Sequence, residues 1–204
     1  TKPELMGTYI VDIVAMAFAF PVALFPAMAA ADGRTEWVGW LLSAMSVGAL
    51  AIGLFSGWAN KVSRHGRAVV IAAAAWALGI VALGFAPSLT LGLLCLAVAG
   101  AADMVSGVFR GTIWNETIPN TMRGRLAGIE MISYLTGPLV GNVRAGLMAD
   151  AWGVSPAIWV GGLVCLVGVV ATGFALPRFW AYRSSANASG SDQGESRRGD
   201  IESA

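Results

Sequence analysis

Along the chain, long apolar runs alternate with short polar ones. A helix that crosses a bilayer needs roughly 20 mostly apolar residues. Runs of that order lie at 5–30, 37–59, 68–86, 89–113, 126–149 and 156–176. The uncharged stretch 68–102 is too long for one span, and Pro87-Ser88 divides it. The first run is interrupted by Asp12, Pro21 and Pro26, and the last is closed by Pro177. None of the runs alternates with period two, and each is about twice the length of a tilted barrel strand, so the pattern predicts helices. The expected fold is an all-α membrane protein whose six transmembrane helices form one bundle over residues 1–183. The polar, mixed-charge tail 184–204 is expected to be disordered and cytoplasmic.

Composition strengthens this picture. The chain is 56% hydrophobic and 12% charged, with a mean hydropathy of +0.69, whereas soluble domains carry about 25% charged residues. A net charge of +1 gives no reason to expect a nucleic-acid partner. The 26 glycines suit close helix approach inside a bilayer. Cys95 and Cys165 each fall within an apolar run and are expected to be free thiols. Basic residues cluster in every second loop: Lys61, Arg64 and Arg67, then Arg123 and Arg125, then Arg178, Arg183, Arg197 and Arg198. The opposite loops hold Arg34 against Asp32 and Glu36, no charge around Pro87, and Asp150. By the positive-inside rule both termini and the basic loops are cytoplasmic. Trp37, Trp40, Trp58, Trp152, Trp159 and Trp180 lie near predicted span ends, as interfacial belts do. The chain begins at Thr1 without a signal peptide and is expected to be part of something longer.

Certain stretches carry a family likeness. The six spans, the basic second and fourth loops and "PNTMRGRLAG" at 119–128 resemble the C-terminal half of a major facilitator superfamily transporter. Within it, "ELMGTYIVDIVAMAFAFPVALFPAMA", "SRHGRAV" and "ADMVSGVFRGTIWNETIPNTMRGRLAGIEMISY" look like the branch that contains bacterial enterobactin (siderophore) exporters and related efflux proteins. The resemblance implies helices seven to twelve of a twelve-helix protein in the bacterial inner membrane. One loop departs from the superfamily pattern G-x-x-x-D-R-x-G-R: Ser56 stands at its first glycine, Asn60 at its aspartate and Lys61 at its arginine, and extra residues precede Gly66-Arg67.

Charges within the spans are the candidate machinery. Seven residues on a helix make nearly two turns, so Asp103, Ser106, Gly107 and Arg110 share one stripe, with about 10 Å between Asp103 and Arg110 along the axis. Cβ bonds tilt toward a helix's N-terminus, which sends Arg110 back toward Asp103. A charge facing lipid costs on the order of 3 kcal/mol, so the stripe is expected to face protein or water. Asp12, two turns into the first span, lies at a depth like that of Arg110. The resemblance places helices seven and ten together, so Asp12 and Arg110 are expected to form a cytoplasmic-side switch. Asp12, Asp103, Ser106 and Arg110 are the candidate substrate and proton pathway, and Lys61, Arg64, Gly66, Arg67, Arg123, Gly124 and Arg125 the candidate gating loops. Glu130 and Arg144 are expected to be interfacial anchors, the latter reaching Asp150 or headgroups, and His65 is expected to be solvated. Pro21, Pro26 and Pro138 are candidate kinks.

The expected function is export of a small molecule by alternating access, without an enzymatic step, metal or cofactor. No P-loop is present, so the energy source would be an ion gradient, most simply protons. The expected partners are the lipid bilayer, the small-molecule substrate and an N-terminal six-helix half. The alternatives are a six-span unit that pairs with a second copy, or a truncated product that does not transport. An intramembrane aspartyl protease is disfavoured, because Asp103 follows "GAA" and not G-x-G.

Overall fold

The computed structural model describes residues 3–54, 57, 62–119, 121 and 123–183, so Lys61, Trp58 and the tail 184–204 lie outside the described residues. Within that range every regular element is helical: α1 (Pro3–Phe18), α2 (Phe25–Ala31), α3 (Val38–Leu54), α4 (His65–Gly84), α5 (Leu89–Thr117), α6 (Arg123–Trp152), α7 (Val154–Ala175) and α8 (Pro177–Trp180). Single 3-10 turns at Val22–Leu24 and Thr35–Trp37 lead into α2 and α3.

Local chemistry sets most of these boundaries. The first apolar run divides because Pro21 has no N–H and its ring clashes with the preceding turn, so α1 stops at Phe18 and helix resumes at Phe25. Ser88 caps α5, its Oγ accepting from the Leu91 N–H at 3.4 Å. The same helix ends at Thr117 because Ile118 precedes Pro119 and is held extended at φ −94°, ψ 121°. It therefore runs four residues past the expected end at 113. Two other helices start earlier than expected. His65, Gly66 and Arg67 form the first turn of α4, and Arg123, Gly124 and Arg125 the first turn of α6, so these are helix ends and not loop. Between α6 and α7 the chain reverses over Gly153 alone, whose φ of +93° is one that side-chain-bearing residues rarely adopt.

The core is a row of four helices, with α5 packed between α3 and α4, and α7 on the far side of α4. The α3–α5 crossing is a tight one. A methyl group on Gly48 would run into the Ala97 carbonyl, and one on Gly100 into that of Met45, so only glycine permits this approach. α1 packs against α6 and α7. Apolar side chains such as Val47, Leu50 and Leu54 on α3, and Leu139, Val143 and Leu147 on α6, face outward. Such surfaces suit lipid or a partner and not water.

Among the described residues, five helical segments are long and apolar enough to cross a membrane: Glu4–Ala31, Thr35–Leu54, His65–Gly84, Leu89–Thr117 and Val154–Ala175. They correspond to the first, second, third, fourth and sixth expected spans. The fifth expected span lies on α6, which at 30 residues has the length, runs on through Pro138, and includes Arg123, Arg125, Glu130, Arg144 and Asp150.

Two expectations are corrected. His65 is 5% exposed and not solvated: its Nε2 lies 2.9 Å from the Val62 carbonyl, and its ring sits 5.0 Å from that of Phe109. Next to it α8 folds back under the start of α4, where the Gly66 N–H meets the Tyr182 carbonyl and Arg67 stacks on Trp180. Nor does Arg144 reach toward headgroups or Asp150. Its guanidinium turns inward, with Nε donating to the Ala17 carbonyl and Nη1 to the Met148 sulfur, both at 3.1 Å.

Candidate functional site

α1 leaves the end of the bundle that bears Arg64, Arg67 and Arg123, and α5 returns to it, so residues early in α1 and late in α5 share a level. The structure brings Asp12 and Arg110 together there. Arg110 Nη1 donates to Asp12 Oδ1, and Arg110 Nη2 lies 3.6 Å from Asp103 Oδ1. Arg110 and Asp12 are 19% and 17% exposed, whereas Asp103 is 42% exposed, so the guanidinium is bound firmly on one side and loosely on the other. With two carboxylates and one guanidinium ionised, the cluster carries one net negative charge.

Aromatic and hydroxyl groups sit between this cluster and the basic end. Trp114 Nε1 donates to Thr8 Oγ1 at 3.2 Å, and the Thr8 hydroxyl donates to the Leu5 carbonyl at 2.8 Å. The Tyr9 ring is inclined at 55° to Trp114, with centroids 4.9 Å apart. Together with Asp12, Gly107, Arg110, Gly111 and Tyr134, these residues line a cavity of about 180 Å³. Open space lies where Gly107 and Gly111 would carry a Cβ, so the two glycines leave the hollow in the face of α5.

Ser106 lies elsewhere. Gly107, Gly111 and Trp114 fall on one side of the Asp103 line, and Ser106 about 60° to the other, beside Ala102, Phe109 and Ile113. It is 3% exposed, within the core. At the basic end, Arg64 precedes α4 and is exposed, Gly66 is buried against Phe179, and Arg67 stacks on Trp180. Arg123 Nη2 donates to the Asn115 carbonyl at 3.1 Å, which ties the start of α6 to the end of α5. Gly124 is exposed, and the Arg125 side chain lies outside the described residues.

Sequence reasoning missed Thr8, Tyr9, Trp114 and Tyr134. The first three carry a signal: Thr8 and Tyr9 are one turn before Asp12, and Trp114 is one turn after Arg110, so both sets share a face with the charges. Tyr134 arrives from α6 and has no such spacing. Larger hollows elsewhere hold no such pairing of charges, and two of them show the contrast. One is an apolar groove beside α4, α7 and α8, and the other lies at the opposite end around Asp32 and Ser88.

Fold and site together define a multi-pass helical membrane protein with a charge cluster inside its bundle. The chain belongs to the Major Facilitator Superfamily, whose profile matches residues 6–202. It is 32% identical over 182 residues to the multidrug efflux pump Tap of Mycolicibacterium fortuitum, an alignment covering 86% of this chain and 43% of that protein. It is 29% identical over 165 residues to the enterobactin exporter EntS of Escherichia coli O81 (strain ED1a), covering 78% of this chain and 38% of the relative. The corresponding exporter of Shigella boydii serotype 18 is 30% identical over the same length. The chain thus spans about two fifths of the curated relatives it matches. No solved structure matches it significantly. Family membership points to a transporter and not an enzyme.

Proposed function

We propose that the chain is the C-terminal six-helix half of a secondary transporter, with α6 as the remaining span, which exports a small molecule from the cytoplasm across the bacterial inner membrane by alternating access. Both termini and the basic loops face the cytoplasm in this reading. One observation carries it: Arg110 joins α1 to α5 through Asp12 while a second, more open carboxylate, Asp103, lies 3.6 Å from the same guanidinium. Asp12 is the lock and Asp103 the proton carrier. With Asp103 ionised, its charge competes for Arg110. Once Asp103 takes a proton, Arg110 is left to Asp12 and the two helices draw together at the cytoplasmic end. The aromatic cavity beside the pair is this half's share of the substrate path. The efflux activities named for the relatives support a small drug-like or siderophore-like substrate. The other wall of the path comes from an N-terminal half, which the coverage of the relatives supports, or from a second copy of this chain.

The test uses inside-out vesicles from cells expressing the complete transporter that contains this chain, with an imposed proton gradient and either ethidium or a catecholate siderophore as probe. Asp103→Asn is expected to abolish gradient-driven accumulation and to keep exchange of probe between the two sides. Gradient-driven uptake at the wild-type rate in Asp103→Asn would sink the assignment.

A further inference from the structure

The break in α1 leaves a specific backbone debt. In an unbroken helix the Ala17 carbonyl accepts from the N–H four residues on. That residue is Pro21, which has none. The donor present instead is Arg144 Nε, at 3.1 Å. Beyond the break, the Ala23 N–H finds its acceptor two residues away on α6, at Asn142 Oδ1, also 3.1 Å. Asn142 and Arg144 therefore supply, from one neighbouring helix, an acceptor and a donor for the broken backbone.

The charge fits the place as well as the hydrogen bond does. A helix C-terminus carries a partial negative charge from its unpaired carbonyls, and a cation there is stabilising. Arg144 lies at that end of α1, and among the described residues it has no carboxylate within ion-pair distance. The third side of its seat is α7. A Cβ on Gly161 would lie 2.7 Å from both terminal nitrogens of the guanidinium and would also strike the Phe18 carbonyl, so a glycine opens the space the guanidinium fills.

We propose that Arg144 is a positioning residue: its guanidinium replaces the backbone donor that Pro21 lacks, closes the end of α1, and fixes the broken helix that carries Asp12. Ala17 lies five residues beyond Asp12, about 7.5 Å along the axis. The capping role stands on backbone geometry alone, whereas its consequence for transport rests on the proposed Asp12–Arg110 lock.

The experiment is a double-mutant cycle between Arg144→Met and Pro21→Ala in the full chain, purified in lipid nanodiscs and followed by thermal denaturation. Arg144→Met keeps an apolar stem and removes every donor, and should lower the melting temperature by roughly 3–12 °C. Pro21→Ala restores the N–H that Ala17 needs, so the double variant should recover more than half of that loss. A double variant no more stable than the two single shifts combined would overturn the capping role. If Arg144→Met does not accumulate, the comparison moves to accumulated protein, and a double variant that also fails to accumulate is equally fatal. In the complete transporter, the double variant should be folded yet lose at least tenfold in gradient-driven uptake of ethidium, because α1 is no longer broken. Wild-type uptake in that variant would refute the positioning step and leave the capping role intact. Failure of the Asp12–Arg110 lock would show instead as wild-type transport in Asp12→Asn with Arg144 untouched.

Discussion

Removing Arg110 should destabilise the chain in a way that only one of its two carboxylate neighbours can repair. Asp12 is 17% exposed and bonded directly to the guanidinium, while Asp103 is 42% exposed and 3.6 Å away. Arg110→Ala leaves the Asp12 carboxylate in the bundle without its cation, and breaking a buried pair from one side costs about 3–5 kcal/mol. For a chain of this size each kcal/mol moves the melting temperature by about 2–4 °C, so a fall of roughly 6–20 °C is expected. Asp103→Asn alone removes a loose, half-exposed contact and should cost less than about 1 kcal/mol. The decisive comparison is between two double variants. Asp12→Asn with Arg110→Ala removes both buried charges and should recover most of the loss, because a neutral amide is cheaper to bury than an unpaired carboxylate. Asp103→Asn with Arg110→Ala leaves Asp12 stranded and should recover little. Thermal denaturation in nanodiscs at neutral pH reads all four proteins. Equal rescue by both double variants would refute the ranking of the two partners.

Three further outcomes are expected. Gly100→Val should cost about 3 kcal/mol, because its side chain meets the Met45 backbone and not a movable side chain, while Gly107→Ala, facing open space, should leave the melting temperature within about 2 °C of wild type. Burial, and then the hydrogen bond to Glu116 at 2.8 Å, push the Tyr182 hydroxyl above its ordinary value of 10.0. The folded state thus holds that proton to higher pH than the unfolded chain, so its contribution is complete below about pH 10 and is lost as pH rises through the folded value. Tyr182→Phe should flatten this alkaline decline in a melting series from about pH 8 to 11. In intact cells, a cysteine at Ser63 should resist a membrane-impermeant thiol reagent and one at Gly33 should react; labelling at Ser63 would reverse the assigned orientation.

Five of the six expected spans were legible because a bilayer imposes a minimum apolar length, and Pro87 and Pro177 end the apolar runs beside them. The meeting of Asp12 and Arg110 was legible in part, since counting rise per residue put them at one depth, although the adjacency of their helices came from the family likeness. Arg144 was misread for an instructive reason. Its depth was judged from its own helix, whereas its partner is set by a proline on another. Asking where the Ala17 carbonyl goes once Pro21 removes its donor would have raised the question, but only the fold could name the answer. His65 left no trace of that kind. Its ring packs beside that of Phe109 on α5, and nothing in "SRHGRAV" announces a neighbour that comes from another helix.

The reversal at Gly153 sets a limit on how this bundle can deform. One residue joins the last turn of α6 to the first turn of α7, and Ser155 pins that corner to the end of α4 through the Gly84 carbonyl at 2.6 Å. A link this short has no slack, so α6 cannot slide along α7. It can only swing about the corner, like a leg of a pair of compasses, with the largest sweep at Arg123 and Gly124 and almost none at Trp152. Displacement that begins at the hinge is thus magnified at the far end of α6, where Arg123 grips the end of α5.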